Sequence, residues 1–333
     1  MTIKTIIPEN ISGYSINIQR YIPTIKRRNY FIVRDKSVGG DAPKEFIKLY
    51  ELYAPHNAKK RNWTPYIAKF GHKWYPNESI TEHLIVRIGQ VLGLKMADSK
   101  LVIINKQVRF LSRYFLNSDD EKIVHGESIY SEYLEDKLFV EEIENQQFAR
   151  ELLTFQFAEK AIKSMFYKDY KVITTAFVKM LFLDAIVGNN DRHFYNWGVV
   201  KDSKKSKTPE FLPIFDTARG FFWNNSDAQI VERLANKAQL GNYLNKYIKN
   251  SMPKTGWEGV KNPNHIELVK ELIHYKTDYQ ELLALMINEK NERAIFKMID
   301  HEFSKLITSK RILLIKECLK LRFILLRSLL KNN

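Results

Sequence analysis

Three oxygen-bearing side chains stand close together in the stretch 188–220: Asp191, Asn196 five residues on, and Asp216 twenty residues further. Carboxylate and amide oxygens are hard donors. A set of them converging suits Mg²⁺, which takes oxygen ligands and often shares them with substrate phosphates. Convergence requires the chain to double back. Two short apolar runs, Trp197–Val200 and Phe211–Phe215, flank a polar link, 201–210, rich in Lys and Ser. Two β-type runs around such a link read as an antiparallel hairpin. Asn196 opens its first strand and Asp216 closes its second, so the hairpin sets them side by side, with Asp191 on the loop just before. The plainer reading is that Asp and Asn stand here as turn formers, which bond locally to their own backbone.

An Asp that orients a hydroxyl, with an Asn and a second Asp holding metal, is the division of labour of a protein-kinase site. Such a site also needs a cation on the phosphates and a backbone that approaches them closely. The loop 35–44 carries Gly39 and Gly40, and successive N–H groups at adjacent glycines can cradle phosphate, although glycines beside Pro43 equally mark an ordinary turn. Lys69 lies in an alternating run, Trp63–Phe70, that reads as a strand, with Pro65 pointing to a sheet edge. It either reaches into a cleft or lies on a solvent face. Leu84, Ile88 and Leu92 recur at helical spacing over 79–92, with Gly93 as the cap. Glu82, in the first turn of that helix, either pairs with Lys69 or favours the helix dipole.

The elements that must position these groups follow in order. Tyr30–Arg34 reads as a strand, and Leu101–Asn105 with Val108–Arg113 as a hairpin around Lys106-Gln107. The last strand runs into a connection near Ser112–Phe115. Residues 116–130 are polar and read as loop. From about Glu141 the chain turns helical, with apolar helical spacing over 148–166 and again over 174–187, which delivers it to Gly188. After Gly220 it reads as mostly helical to the end. In the tail, Ile312, Ile315, Leu319, Phe323, Leu326 and Leu330 share one face, and further leucines widen it, so this helix is expected to dock on the helical part; an interfacial membrane helix is the rival.

The 333 residues suffice for one large domain or two packed lobes, and 44% hydrophobic with 27% charged residues is ordinary for a globular chain. The lone cysteine, Cys318, excludes an intrachain disulfide and a multi-Cys zinc site. No secretory signal stands at the N-terminus and no uncharged apolar stretch is long enough to span a membrane. The net charge of +15 attracts nucleic acid, anionic lipid or an acidic protein, or is simply a Lys-rich solvated surface. No helix-turn-helix or zinc pattern marks a dedicated nucleic-acid reader.

Four places taken in order, SVGGDAPK at Ser37–Lys44, YIAKF at Tyr66–Phe70, the Glu82 helix running to Leu94, and DRHFYN with PIFD between 191 and 216, resemble the HipA-like Ser/Thr protein kinases, a bacterial family with a divergent kinase fold. The resemblance covers about 180 residues, Ser37 to Asp216, and is to the short form without an additional N-terminal subdomain. It implies an α+β, two-lobed kinase-like fold with a β-rich small lobe over 1–115 and a helical large lobe over 116–333. It implies ATP and Mg²⁺ as cofactors and a protein Ser or Thr hydroxyl as acceptor. Asp191 takes the catalytic role, Asn196 and Asp216 hold metal, and Lys69, Glu82, Gly39, Gly40, Ser112, Arg113 and Tyr114 bind nucleotide, the last three as the hinge on adenine. Ser37 matches a loop serine that becomes autophosphorylated in family members. The role implied is a toxin or effector, with an antitoxin or host protein as partner, in the bacterial cytoplasm or secreted without a signal peptide. His193 reads as structural, packing under the loop rather than serving as a base, and Arg192 either holds a phosphorylated segment or pairs with a nearby carboxylate. A phosphoinositide-type lipid kinase, whose loop is similar, and a non-enzymatic basic module on the same fold remain as alternatives.

Overall fold

The computed structural model describes residues 2–13, 18–34, 39, 42–51, 59–116, 118, 120–144, 149–204 and 206–331. Ser37 and Gly40 lie outside them. The fold is α+β and two-lobed. Its β-rich part holds a five-stranded antiparallel sheet of β1 (Tyr30–Ile32), β2 (Lys44–Leu49), β3 (Thr64–Lys69), β4 (Ser99–Ile104) and β5 (Gln107–Arg113), in the spatial order β1-β2-β3-β5-β4. A single helix, α1 (Asn77–Val91), lies on one face between β3 and β4 in sequence.

Both faces of this sheet are buried, which the strands' alternation makes possible. Leu101, Ile103, Val108 and Phe110 point to α1, where they meet Ile80, Leu84, Ile85 and Ile88. Val102, Ile104, Leu111, Tyr66 and Ala68 point the other way, into a smaller core with Ile3, Tyr30 and Ile47. The N-terminal segment covers that second face through Gln107, which exchanges hydrogen bonds with the Ile6 backbone at 3.0 and 2.6 Å, and through Arg109, which donates to the Lys4 carbonyl at 2.6 Å. Because Ala68 faces the back core, the next residue, Lys69, faces α1.

Three local readings change. Strand β3 is central, between β2 and β5, although Pro65 pointed to an edge. Pro65 is tolerated near the start of the strand, where its carbonyl accepts from the Tyr114 N–H at 3.0 Å and its missing N–H costs one ladder bond. The β4–β5 turn is Asn105-Lys106, one residue earlier than expected, and both residues have positive φ, 51° and 63°, as a tight hairpin of this twist requires. Strand β2 has no counterpart in the sequence reading. Its charged residues at Lys44, Glu45 and Lys48 mask the apolar set Phe46, Ile47 and Leu49.

In the helical part, β6 (Glu121–His125) and α2 (Gly126–Leu134) occupy a stretch read as loop; α3 (Lys137–Glu144) and α4 (Ala149–Leu152) follow. The helical run over 148–166 breaks at Thr154, whose side chain accepts from the Phe157 N–H at 3.2 Å and caps α5 (Phe155–Met165). Helix α6 (Tyr170–Val187) is apolar nearly all round and forms the centre of this part, as such a helix must. The hairpin forms, with β7 (Gly198–Asp202) antiparallel to β8 (Glu210–Phe211) and β6 added on the other side of β7, but its second strand ends at Phe211 instead of running to Phe215, so Asp216 lies beyond the ladder on the chain that leaves it. Then come α7 (Asp227–Ala235), α8 (Lys237–Lys249), α9 (His265–Tyr275), α10 (Thr277–Met286), α11 (Glu289–Met298) and α12 (Ser309–Lys331). Helix α12 docks against α6 through α11 rather than standing free: Ile315, Leu319, Phe323 and Leu326 are buried, while Ile312 and Leu330 are partly so. No helix among the described residues is long and apolar enough to cross a membrane.

Candidate functional site

The site forms where the two parts meet, and backbone contacts set their spacing. Ile214 donates to the Lys95 carbonyl at 2.8 Å and accepts from the Ala97 N–H at 3.0 Å. This short parallel bridge hangs the exit of the β7–β8 hairpin from the segment between α1 and β4. Two residues later Asp216 lies below β3, in a left-handed backbone conformation with φ 54°. For a residue other than glycine this is uncommon, and it concentrates at functional turns.

Asp216 meets Lys69 there. The Lys69 ammonium is 3.0 Å from Asp216 Oδ1 and 2.8 Å from Glu82 Oε1. Lys69 and Glu82 are buried, whereas the Asp216 side chain keeps 34% exposure toward the cleft. Burial disfavours the Lys69 ammonium, but Asp216 and Glu82 outweigh it and hold the group charged, above its ordinary pKa. Burial likewise raises Asp216, yet Lys69, Lys44 and Arg192 together bring its carboxyl down to about 2. Glu82 goes the other way: burial raises it, and Lys69 only partly compensates. Two carboxylates share one lysine, and Asp216 is the one more firmly ionised. Glu82 stands in the second turn of α1, since the helix begins at Asn77, two residues earlier than the periodicity placed it.

On the other side, α6 ends at Gly188 in a left-handed cap with φ 69° and releases the chain into the loop 189–196. Arg192 governs this loop. Its guanidinium forks onto Asp184 at 2.9 and 3.0 Å, and Nη1 donates to the carbonyls of Asn196 at 3.0 Å and Phe215 at 2.6 Å. Both partners of the ion pair are 1% exposed. Of the two readings left open for Arg192, pairing with a carboxylate is the one the structure has. One nitrogen bonding both carbonyls brings Asn196 beside the residue preceding Asp216, which completes the convergence the hairpin spacing anticipated. Asn196 donates through Nδ2 to the Asp191 carbonyl at 2.8 Å, so its amide oxygen is the acceptor atom left to it. His193 accepts from the Tyr195 N–H at 3.3 Å and stands 3.1 Å from Asn196 Nδ2, a structural place within the loop. Trp197 anchors the loop's end, packed 4.6 Å from Phe177.

Asp191 itself is 42% exposed. Among the described residues, nothing comes within 4 Å of where a Cβ on Gly39 would stand. Ser112 and Arg113 lie on β5, and the Arg113 and Tyr114 N–H groups donate to the carbonyls of Asp98 at 2.7 Å and Pro65 at 3.0 Å, so both donors are engaged within the protein. Aromatic rings line the junction: Tyr114 meets Phe46 edge-on at 4.9 Å, and Phe115 meets Phe215 at 5.9 Å. Among the described residues no three His, Cys, Asp or Glu side chains gather as a metal cage. One carboxylate and one amide oxygen instead make the sparse, hard donor set that suits Mg²⁺ carrying water and phosphate oxygens.

Sequence reasoning passed over Asp184, Glu78 and Arg219. Asp184, a carboxylate inside the apolar run LFLDAIV, was the available signal, because a charge buried in such a helix must be paired. Glu78 carried a helical one, four residues before Glu82 and so on the same face.

A family model for the HipA-like C-terminal domain matches residues 36–275. The chain belongs to the HipA-like kinase family. Among solved structures it is similar to the Helicobacter pylori proinflammatory kinase CtkA, at 19% identity and TM-score 0.71 over 93% of this chain and 99% of that one. A weaker likeness, at 16% identity and TM-score 0.46, is to the Shewanella oneidensis MR-1 toxin–antitoxin complex of HipA, HipB and operator DNA, over 88% of this chain and 65% of that one. No curated protein matches the chain.

Proposed function

We propose that this HipA-like chain is an ATP- and Mg²⁺-dependent protein kinase that transfers the γ-phosphoryl group to a Ser or Thr hydroxyl. The observation that carries this reading is Lys69 held between Glu82 at 2.8 Å and Asp216 at 3.0 Å, with Asp216 tied through the Phe215 carbonyl and Arg192 to the loop that carries Asp191. We read residues 1–115 as the lobe that covers the nucleotide and 116–333 as the lobe that brings the acceptor. Lys69, oriented by Glu82, meets the phosphates, with the loop at Gly39 and Gly40 above them; the adenine lies toward Ser112, Arg113 and Tyr114. Asn196 and Asp216 would hold the Mg²⁺, which would supply positive charge against the negative charge that develops on the phosphates. Asp191 accepts a hydrogen bond from the acceptor hydroxyl, aims its oxygen at the γ-phosphorus and takes its proton as the new O–P bond forms and ADP leaves.

Lys69 pairs with Asp216 at 3.0 Å. Phosphates would offer the ammonium, and a cation the carboxylate, a replacement for that pair, so that neither buried charge would be left uncompensated. Ser37, two residues ahead of Gly39 in sequence, is proposed as an autophosphorylation site whose phosphate, adding about −1.5 to −2 charge, repels ATP. The physiological role is that of a bacterial toxin or effector, its partner an antitoxin or a host protein.

The test is incubation with γ-labelled ATP and Mg²⁺ in the presence of lysate or of phosphoinositide vesicles. Label on protein Ser or Thr, lost in Asp191→Ala and in Asp216→Asn, supports the reading. Label on lipid favours the phosphoinositide-kinase alternative, and no label with intact nucleotide binding favours a module without chemistry. Asp216→Asn is the apt variant because Asn also adopts a left-handed backbone and removes only the charge. Mass spectrometry of the same incubation, beside Ser37→Ala, reads the loop serine.

A further inference from the structure

Helix α1 presents two carboxylates one turn apart, and each holds a cation. Glu82 holds Lys69. Glu78, four residues earlier, holds Arg219, whose Nη1 lies 2.9 Å from Glu78 Oε1. Residues four apart share a helix face, so both carboxylates look into the same cleft. Glu78 is itself fixed: it is 7% exposed, and Oε2 accepts from the Trp74 N–H at 3.0 Å. The Arg219 guanidinium is stacked on Trp223, 3.9 Å from the ring centre, and its Nε stands 3.9 Å from Asp191 Oδ2. Asn77, at the start of α1, donates through Nδ2 to the Phe222 carbonyl at 3.3 Å and to that of Trp223, so helix and 219–223 segment are joined by side-chain-to-backbone hydrogen bonds as well as charge.

We propose that Arg219 is the positioning residue for Asp191, holding carboxylate oxygen Oδ2 so that the other oxygen meets the acceptor hydroxyl. The inference rests on the kinase reading given above. Three restraints, an ion pair, a ring stack and a backbone-tied helix, fix the guanidinium at the edge of the cleft while the Asp191 side chain is 42% exposed. An exposed carboxylate without such a neighbour samples several rotamers, and misorientation at a reacting centre costs rate rather than binding. The 3.9 Å separation is an ion pair rather than a hydrogen bond, and catalytic contacts of this kind tighten when the reactants bind. Glu78 carries the arrangement further, because the helix that orients Lys69 on the phosphates also orients the cation that steadies Asp191. Donor side and acceptor side are set by one rigid element.

The experiment compares wild type, Arg219→Gln, Arg219→Lys and Glu78→Gln. It measures self-phosphorylation and phosphorylation of myelin basic protein, with binding of a fluorescent ATP analogue in Mg²⁺ read separately. Arg219→Gln should lower kcat by about 10- to 100-fold with the KM for ATP within about two-fold of wild type, since the loss falls on orientation. Arg219→Lys, which keeps the charge, should recover part of it, and Glu78→Gln should lie between. In an Asp191→Asn background, Arg219→Gln should cost little more, because the two act as a unit. Unchanged kcat in Arg219→Gln, a loss confined to KM, or an equal loss in both backgrounds would overturn the proposal. If the wild type binds no Mg-ATP and labels nothing, the kinase reading fails and takes this one with it. A wild type that labels protein but is indifferent to Arg219 sinks this inference alone. Should Arg219→Gln unfold, Arg219→Lys and Glu78→Gln read the same contact with charge or size kept.

Discussion

Arg192 and Arg219 flank the same catalytic-type loop and differ in nearly every physical respect. Arg192 is buried behind the loop, doubly bonded to Asp184 and to two backbone carbonyls. Arg219 stands in front of it, 18% exposed, with one close carboxylate, an aromatic ring and a second carboxylate at ion-pair distance. The first decides where Asn196 and the hairpin exit lie, so it belongs to folding. The second stands 3.9 Å from a half-exposed carboxylate, and under the proposal made above its place is in turnover. On that proposal, position relative to the loop, not charge, separates an arginine that builds a site from one that operates it.

The strongest way to break the comparison is Arg192→Ala. It leaves Asp184 buried and unpaired and two carbonyls without a donor, which typically costs about 3–5 kcal/mol for the ion pair alone. Urea unfolding should show most of a small domain's stability gone, with Asp184→Ala close behind. Arg219→Ala should cost less, about 1–3 kcal/mol, because the buried Glu78 loses its cation but keeps the Trp74 N–H. Equal losses in the two variants would erase the distinction.

A second, smaller effect comes from the loop's entrance. Gly188 has φ 69°, and a Cβ there would stand 2.4 Å from Arg322 Nη2 and 3.2 Å from Ser251 Oγ. Arg322 cannot swing away, since it is fully buried and donates to the Ala185 carbonyl at 2.8 Å. Gly188→Ala therefore combines left-handed strain with overpacking, together about 1–3 kcal/mol. Thermal unfolding should show the loss, and turnover measured well below the new midpoint should fall with it, because the loop starts at this cap.

The hairpin, and with it the approach of Asn196 to the residue before Asp216, was legible because a turn-rich polar link between two apolar runs allows few arrangements. Lys69 was legible as a strand lysine but not as a buried one: its burial depends on Ala68 facing a second core built from Ile3 and Tyr30, remote in sequence. The pairing of Glu82 with Lys69, one of two readings left open, needed the register of α1, which begins earlier than its apolar stripe. Arg219 was not legible at all. Nothing local marks it, and its meaning arises only from Glu78 on another element and Trp223 four residues on. Strand β6 escaped for a related reason: its partner β7 lies more than seventy residues away. Contacts that span the chain carry no local period.

Acidification probes the packing behind the loop. His265 is buried beside Asn190, 3.3 Å from its side-chain oxygen, and faces Arg322. Burial, with Arg322 adding to it, lowers its pKa from 6.5 to about 3. Between those values the unfolded chain binds a proton that the folded chain refuses, so stability from this residue is full above pH 6.5 and falls as pH falls toward 3. One such proton gives a slope that approaches about 1.4 kcal/mol per pH unit as pH falls below 6.5. Urea titrations at pH 7, 6 and 5 should show it, and His265→Asn should flatten it. An unchanged slope in the variant would move the acid sensitivity elsewhere.

The smallest expected effect sharpens the contrast from the opposite end. Lys95 and Glu210 pair at 2.6 Å, a shorter distance than either contact between Arg192 and Asp184, and they bridge the same junction of the two parts. Distance alone would rank this pair first. Both side chains are more than 60% exposed, however, so water screens the attraction and ordering two long side chains offsets most of the remainder. The junction there is carried by backbone, through the Lys95 carbonyl and Ile214 N–H at 2.8 Å, which a side-chain change leaves in place. Lys95→Ala should therefore alter stability by no more than about 0.5 kcal/mol, less still in molar salt, and leave turnover unchanged. A loss approaching that of Arg192→Ala would mean that the two parts are held together by surface charge, and that the buried arginine is one brace among several.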